Sequence, residues 1–239
     1  STFANRATAA FRVTAGGAVV GTSVTLTDNT IFIGGSSNKA FFIGNKSDGL
    51  TTYVGATSTV TRVIDRTELY EGGTINDFAS MSTRTVIGAF GTSSLSVSFQ
   101  VQMALDTTTN QSVWLGFMDG AQVTTKTGIP VDGTSDIDCA GFSIVNGSLY
   151  GYTGNGTAGI TRTSITGITL TSFNIYRVDY SSITDEALFY VNDVLKLTIT
   201  TTPPDSGDIY FHTGIRPTAA GAGTGTLTIK HPFTVLRTD

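Results

Sequence analysis

The chain has 239 residues and a mass of 25.0 kDa, and only 13% of its residues are charged. Fourteen Lys and Arg against 18 Asp and Glu give a net charge of −4, which excludes a protein that binds nucleic acid mainly through a basic face. No apolar run reaches the length of about 18 residues that a membrane-spanning helix needs, so membrane insertion through a helix is also excluded. Ser, Thr, Val, Ile, Phe and Tyr dominate, and this composition predicts an all-β protein.

A short repeat occupies the first 60 residues. Residues 32–34 and 42–44 both read Phe-Ile-Gly, and residues 53–55 read Tyr-Val-Gly. Each unit is typical of a short strand that ends at a Gly turn. Units this short cannot bury a core alone, so we expect them to pack on the rest of the chain or on copies of themselves. We therefore predict an N-terminal anchoring and oligomerisation region at residues 1–62 and a main domain at residues 63–239.

Strict alternation of apolar and polar residues predicts several half-buried strands in the main domain. The apolar members of these patterns, in chain order, are Val97, Phe99, Val101 and Met103; Tyr176, Val178 and Tyr180; Leu195, Leu197 and Ile199; and Leu227 and Ile229. We find no segment of ten or more residues with a convincing helical period.

Two hairpins are predicted from their turn residues. Asn146 and Gly147 separate two apolar runs, and Asn-Gly favours a type I′ turn. Asn192 and Asp193 separate residues 187–191 from residues 194–199, and both residue types tolerate a positive φ angle better than most others.

The order of these elements resembles a known family. Residues 85–239 resemble the concanavalin A-like, or laminin-G-like, jelly-roll domains of bacteriophage virion surface proteins. The resemblance is carried by residues 113–118, 176–180, 187–195, 201–204, 209–211 and 227–230. Asp193 stands where the family more often has Gly. The resemblance implies a two-sheet antiparallel jelly-roll sandwich, a fold that is shared by lectins, glycosidases and inert capsid parts.

Carbohydrate recognition is one candidate function of such a sandwich. Lectin sites stack a sugar on an aromatic ring and bind its hydroxyl groups through Asn, Asp or backbone groups. Tyr150 and Tyr152 share a strand face, and Asn155 follows in a Gly-rich loop. Trp114 and Asp119 form a second candidate pair, although the apolar neighbours of Trp114 also suit a core position. The alternative for the two tyrosines is a sheet face or a subunit contact.

The acidic segment at residues 132–138 supports two weaker interpretations. Asp136 and Asp138 share a strand face, but the Glu-x-Asp-x-x-Glu pattern of the sandwich glycosidases is absent from the sequence. Asp132, Asp136 and Asp138 with nearby carbonyl groups are candidate Ca²⁺ ligands, since Ca²⁺ takes six to eight oxygen ligands. A polar loop without chemistry is the simplest interpretation, so we predict no cofactor, with Ca²⁺ as the alternative.

Nucleophilic catalysis is not indicated by the sequence. There is no Gly-x-Ser-x-Gly elbow. His212 and His231 lie in or beside predicted strands, and Cys139 has the surroundings of a small buried apolar residue.

Together these observations favour a non-enzymatic structural protein on the surface of a phage virion, either a capsid decoration or a head or tail fibre component. The expected partners are other virion proteins, further copies of the chain in a homo-oligomer such as a trimer, and a host cell-surface polysaccharide. The alternative is a carbohydrate-binding, lectin-like module that is secreted or carried on a virion. A glycosidase is the third hypothesis.

Overall fold

Alternating apolar and polar residues fold this chain into two antiparallel β-sheets that pack face to face, as predicted. A computed structural model describes residues 11–13, 19–21, 30–34, 38–43, 50–63, 65–74, 77–83, 86–120, 137–156, 159–219, 224–230 and 233–238. The secondary-structure elements of these ranges are all strands, which confirms the all-β jelly-roll sandwich. Within the same ranges, no helix is long and apolar enough to cross a bilayer.

The first sheet has ten strands in the described ranges. Its main path runs through β17 (Val194–Ile199), β16 (Glu186–Val191), β15 (Asn174–Ser181), β10 (Ser96–Leu105), β19 (Gly225–Lys230), β7 (Arg66–Glu71) and β6 (Thr59–Val63). β20 (Phe233–Thr238) also pairs with β10, and it is followed outward by β4 (Asn38–Ile43) and β3 (Thr30–Gly34). A separate antiparallel pair is formed by β1 (Phe11–Val13) and β2 (Val19–Gly21).

The second sheet has eight strands in the described ranges. Its path runs through β14 (Gly159–Ile165), β13 (Ser148–Asn155), β12 (Cys139–Val145), β11 (Gln111–Asp119), β18 (Asp208–Pro217), β8 (Ala79–Thr83) and β5 (Leu50–Val54), with the short β9 (Gly88–Ala89) beside β18. Four of these strands, β11 to β14, follow one another in sequence and in space, so neighbouring side chains on this sheet come from a continuous stretch of the chain.

The hydrophobic core lies between the two sheets. Phe99 of the first sheet packs against Phe117 and Phe211 of the second sheet, with ring centroids 5.3 Å apart in both pairs. Phe142 packs in the same way on Tyr176 and Phe189 across the sheets. These rings are at most 1% exposed, so every second residue along these strands faces the core.

Both predicted hairpins are confirmed. Asn146 and Gly147 have φ angles of 48° and 80°, and Asn192 and Asp193 have φ angles of 52° and 61°. One alternation was misread, however. Leu195 is 49% exposed, although Ile199 on the same strand is buried. The register between β16 and β17 shifts at a β-bulge, where Lys196 of β17 is the extra residue between Leu195 and Leu197, so Leu195 faces away from the core while Leu197 packs against it.

The N-terminal repeat does form strands, namely β3, β4 and β5. β4 pairs with β20 and β5 pairs with β8, so both join sheets that contain strands of the main domain. The boundary at residues 62 and 63 stays a prediction.

Candidate functional site

The second sheet has a side that faces away from the core, and we call it the outer face. Along β11, Val113, Leu115 and Phe117 belong to the core, and the residues between them point to the other side. Cross-strand pairing extends this assignment to the neighbouring strands. The outer face includes Tyr53, Ser80, Ser82, Ser112, Trp114, Met118, Cys139, Tyr150, Tyr152, Arg162, Tyr210 and His212.

Two glycines form the floor of the outer face. Gly116 and Gly141 lie directly opposite each other on β11 and β12. A Cβ atom on Gly141 would lie 2.7 Å from the Gly116 Cα and 2.8 Å from Cζ2 of the Trp114 indole. Because neither residue has a side chain, the indole can pack against the backbone of the sheet instead of projecting away from it.

An aromatic cluster is built on this floor. The rings of Trp114 and Tyr152 meet edge to face, with centroids 5.8 Å apart and planes at 88°. Met118, Ile137 and Cys139 complete the buried cluster, and the partly buried Tyr53, Ile160 and Tyr210 pack against it. This cluster is separate from the core between the sheets.

Four buried polar atoms on the outer face have no hydrogen-bond partner among the residues that the structure describes. They are Nε1 of Trp114, Nδ1 of His212 and the Oγ atoms of Ser80 and Ser112. Their residues are no more than 1% exposed. Trp114 and Ser80 both lie directly opposite Gly214, and His212 lies two residues before Gly214 on the same strand. A buried polar group without a partner costs about 1–3 kcal/mol, so four of them on one face make this face the candidate functional site.

The charge state of His212 follows from its burial. Burial lowers the pKa of His212 to about 3. The imidazole is therefore neutral at physiological pH, and it offers one N–H donor and one acceptor nitrogen.

One side of the outer face carries a half-buried cation–π pair. The Arg162 guanidinium lies 3.6 Å from the centroid of the Tyr150 ring. Both residues are half-buried, so they belong to the accessible part of this face.

The five residues predicted to bind carbohydrate divide into two groups. Trp114, Tyr150 and Tyr152 lie together on the outer face, but only Tyr150 is partly accessible, since Tyr152 is 1% exposed and Trp114 is fully buried. The predicted Asn155 and Asp119 are not on the outer face. Each occupies a strand position that alternates with the outer-face positions, so it belongs to the other side of the sheet. Asn155 donates from its amide Nδ2 to Oδ2 of Asp205 at 2.7 Å.

The loop at residues 204–207 accounts for the polar residues at that end of the sheet. Oδ1 of Asp138 accepts a hydrogen bond from the backbone N–H of Asp205 at 2.8 Å, and its Oδ2 accepts one from the Ser206 hydroxyl at 3.0 Å. The Tyr180 hydroxyl donates to the carbonyl oxygen of Pro204 at 3.0 Å. The Asp119 side chain lies against Gly207. Three of the predicted site residues therefore hold a loop.

The predicted Ca²⁺ site cannot be placed as a whole. Asp132 and Asp136 lie outside the described residues, and Asp138 binds the loop described above. In the part of the chain that the structure describes, no group of three His, Cys, Asp or Glu side chains is close enough to hold a metal ion.

Sequence reasoning missed Ser80, Ser112 and Arg162 as members of the face, and it treated His212 as an ordinary sheet residue. A weak signal exists in β18, where Tyr210 and His212 alternate with the apolar Ile209 and Phe211. Cys139 is buried, as predicted, and burial raises the pKa of its thiol.

No family model and no curated protein sequence matches this chain, but solved structures do. The carbohydrate recognition domain of Emp47p has a TM-score of 0.53 at 12% identity over 82% of this chain and 90% of that one. A Bacillus licheniformis β-glucanase has a TM-score of 0.57 at 12% identity over 90% and 100%.

A third similar structure is the potassium-bound carbohydrate recognition domain of Emp46p, with a TM-score of 0.51 at 10% identity over 78% of this chain and 88% of that one. Identities this low show the fold alone. The chain therefore has the concanavalin A-like jelly-roll fold, which lectin domains and glucanases share.

Proposed function

We propose that this chain is a non-enzymatic carbohydrate-binding module, and that it works on the surface of a phage virion. The observation that carries the first part is the set of four unpartnered buried polar atoms on the outer face. A glycan supplies what these atoms lack, because each sugar hydroxyl can both donate and accept a hydrogen bond. The indole N–H can only donate, whereas the serine hydroxyls and the neutral imidazole can do both.

The aromatic rings beside these atoms support the same proposal. Trp114, Tyr150 and Tyr152 offer apolar ring surface, which suits the apolar face of a sugar. Trp114 and Tyr152 are buried, so a glycan that reached them would have to displace the atoms that now cover them. Tyr150 and Arg162 are half-buried and form the first contact available to a ligand.

The absence of enzymatic activity is proposed from the distribution of carboxylates. Glycoside hydrolysis requires two carboxyl groups that flank the bond to be cleaved. The described strands of the second sheet carry two carboxylates, Asp119 and Asp208, and each stands at the end of its strand. The middle of the outer face, around Trp114 and His212, is aromatic and hydroxyl-rich instead, which suits binding better than hydrolysis.

The test exposes the purified chain to a panel of bacterial surface polysaccharides and records retention and newly released reducing ends. We expect retention of at least one polysaccharide without release. Ser80→Ala should weaken that retention, whereas the matched variant Ser82→Ala should not, because the Ser82 hydroxyl already donates to the Phe211 carbonyl at 3.2 Å. Release of reducing ends would overturn the non-enzymatic part of the proposal, and no retention across the panel would overturn the binding part.

The virion location has its own test. Antibodies raised against the chain should label intact phage particles that encode it, and light scattering of the purified chain should give a homo-oligomer, with a trimer expected. Labelling confined to material outside particles would support the alternative of a secreted lectin-like module.

A further inference from the structure

The first sheet carries an open depression on the side that faces away from the core. Its volume is about 230 Å³, and β10, β15, β16 and β20 form its walls. Strand register explains its floor, because Ser98 lies opposite both Asp179 and Leu236, and Ser96 lies opposite Ser181. The depression therefore belongs to the sheet that does not contain the aromatic cluster.

Hydroxyl groups dominate the polar lining of this depression. They come from Ser96, Ser98, Ser181 and Thr184. Leu188 and the 39%-exposed Leu236 add apolar surface. A volume of this size, with hydroxyl groups beside a small apolar area, fits a single sugar ring better than a flat aromatic or a long alkyl chain.

The charge of the lining is negative. Asp179 and Glu186 line the depression, and none of its described lining residues is a Lys or Arg. The Asp179 carboxylate is already engaged, since Oδ1 accepts from the Ser98 hydroxyl at 2.6 Å and Oδ2 lies 3.4 Å from Nε of Arg177. Glu186 makes no ion pair with the described residues. It is half-buried at the start of β16, opposite Ser181. Among the described lining residues, Glu186 is thus the charge that no ion pair compensates.

We infer that this depression binds an amino sugar whose amine is free and protonated. The ammonium group pairs with the Glu186 carboxylate, and the ring hydroxyls bond the serine and threonine hydroxyls. The C–H face of the ring lies on Leu188 and Leu236. A net charge of −4 on the chain favours the approach of a cationic ligand at low salt. A simple alkylamine would pair with Glu186 but make no hydrogen bonds to the hydroxyl groups of the lining, so the sugar ring is part of the specificity.

The experiment is a calorimetric titration with two forms of one oligosaccharide, the β-1,4-linked hexamer of glucosamine and its fully N-acetylated counterpart. We expect the deacetylated form to bind and the acetylated form to bind at least about fivefold more weakly, since acetylation removes the charge that pairs with Glu186. Ethylamine should compete poorly at equal concentration. Added salt should weaken the binding of the deacetylated form.

Variants separate this site from non-specific attraction. Glu186→Gln should weaken binding of the deacetylated hexamer about threefold to fivefold. Asp193→Asn removes the same charge from the turn between β16 and β17, at the other end of β16 from Glu186, where its side chain is 69% exposed, and it should leave binding unchanged. Ser96→Tyr fills the depression and should abolish binding even where the loss of one charge has a small effect.

Equal binding of the two hexamers would overturn the inference, as would equal effects of Glu186→Gln and Asp193→Asn, or no binding at all. The proposed site on the outer face of the second sheet is tested separately, through the emission of Trp114. Trp114 is the single tryptophan of the chain, and it lies on that face and not in this depression.

Discussion

Trp114 and Tyr152 meet edge to face on the side of the second sheet that points away from the sandwich core, with ring centroids 5.8 Å apart. The pair gives this sheet apolar clusters on both of its sides. Four buried polar atoms without partners among the described residues accompany the outer cluster, whereas the core side of the same sheet has Oγ1 of Thr213 and is otherwise lined mainly by aliphatic and phenyl side chains. The larger number of unmet hydrogen bonds on the outer face makes it the better candidate for a polar ligand.

Ser80 and Ser82 provide a matched pair for testing the unpartnered atoms. Ser80→Ala removes a buried hydroxyl that has no partner, so the free energy of unfolding should rise by about 1 kcal/mol. Ser82→Ala removes a hydroxyl that donates to the Phe211 carbonyl, so the free energy of unfolding of this variant should fall by about 1 kcal/mol. Urea unfolding measures both values. Equal losses for the two variants would show that the Ser80 hydroxyl has a stabilising partner after all.

Gly141 should not tolerate a side chain. A Cβ atom there would lie 2.6 Å from the Leu115 carbonyl oxygen and 2.8 Å from the Trp114 ring. Gly141→Ala should therefore lower the free energy of unfolding by about 1–3 kcal/mol and shift the emission of Trp114. The control is Ser164→Ala on the neighbouring edge strand, where the residue is exposed and the change should stay within about 0.5 kcal/mol. A stable Gly141→Ala variant with unchanged emission would contradict the close packing of the indole.

The stability of the fold should depend on pH through His212. The folded chain takes up a proton at His212 only near pH 3, whereas an unperturbed histidine titrates at 6.5. Between these values the unfolded chain binds more protons, so the free energy of unfolding falls as the pH is lowered from 6.5 towards 3. His212→Gln removes the titrating group, and its stability should fall less steeply than that of the wild type over this range. Parallel pH profiles of the two proteins would contradict the prediction.

Glu71 and Gln111 form a buried pair at the end of the core. Nε2 of Gln111 donates to Oε1 of Glu71 at 2.8 Å, and both residues are fully buried. Within the described residues, Gln111→Leu leaves the carboxylate with the backbone N–H of Gly73 as its remaining donor, so the free energy of unfolding should fall by about 2–4 kcal/mol.

The double variant Glu71→Gln with Gln111→Leu should lose less free energy of unfolding than the two single variants lose together, because it also removes the buried charge. Additive losses in denaturant unfolding would show that the two side chains do not act as a pair.

Much of the fold was predictable because its determinants are local. Val97, Phe99 and Val101 alternate with polar residues along β10, and they are buried as the alternation requires. The turn at Asn146 and Gly147 follows from the φ angles that those two residue types allow.

The candidate site was harder to predict because both sides of β11 are buried. An alternating pattern assigns residues to two faces, but it does not show that the second face is also covered. On sequence alone, the apolar neighbours of Trp114 favour a core position, and a binding position is the alternative. Asn155 illustrates a second limit, since its partner Asp205 lies 50 residues further along the chain, and only the folded structure brings the two together.

The emission of Trp114 during titration with the polysaccharide that the chain retains tests the central proposal most directly. Because the chain has a single tryptophan, the signal comes from the outer face alone. We predict a saturable change in emission that is weakened by Ser80→Ala and unaffected by Ser82→Ala. Retention of the polysaccharide with no change in Trp114 emission, or with equal effects of the two serine variants, would contradict the proposal and place the glycan elsewhere on the molecule.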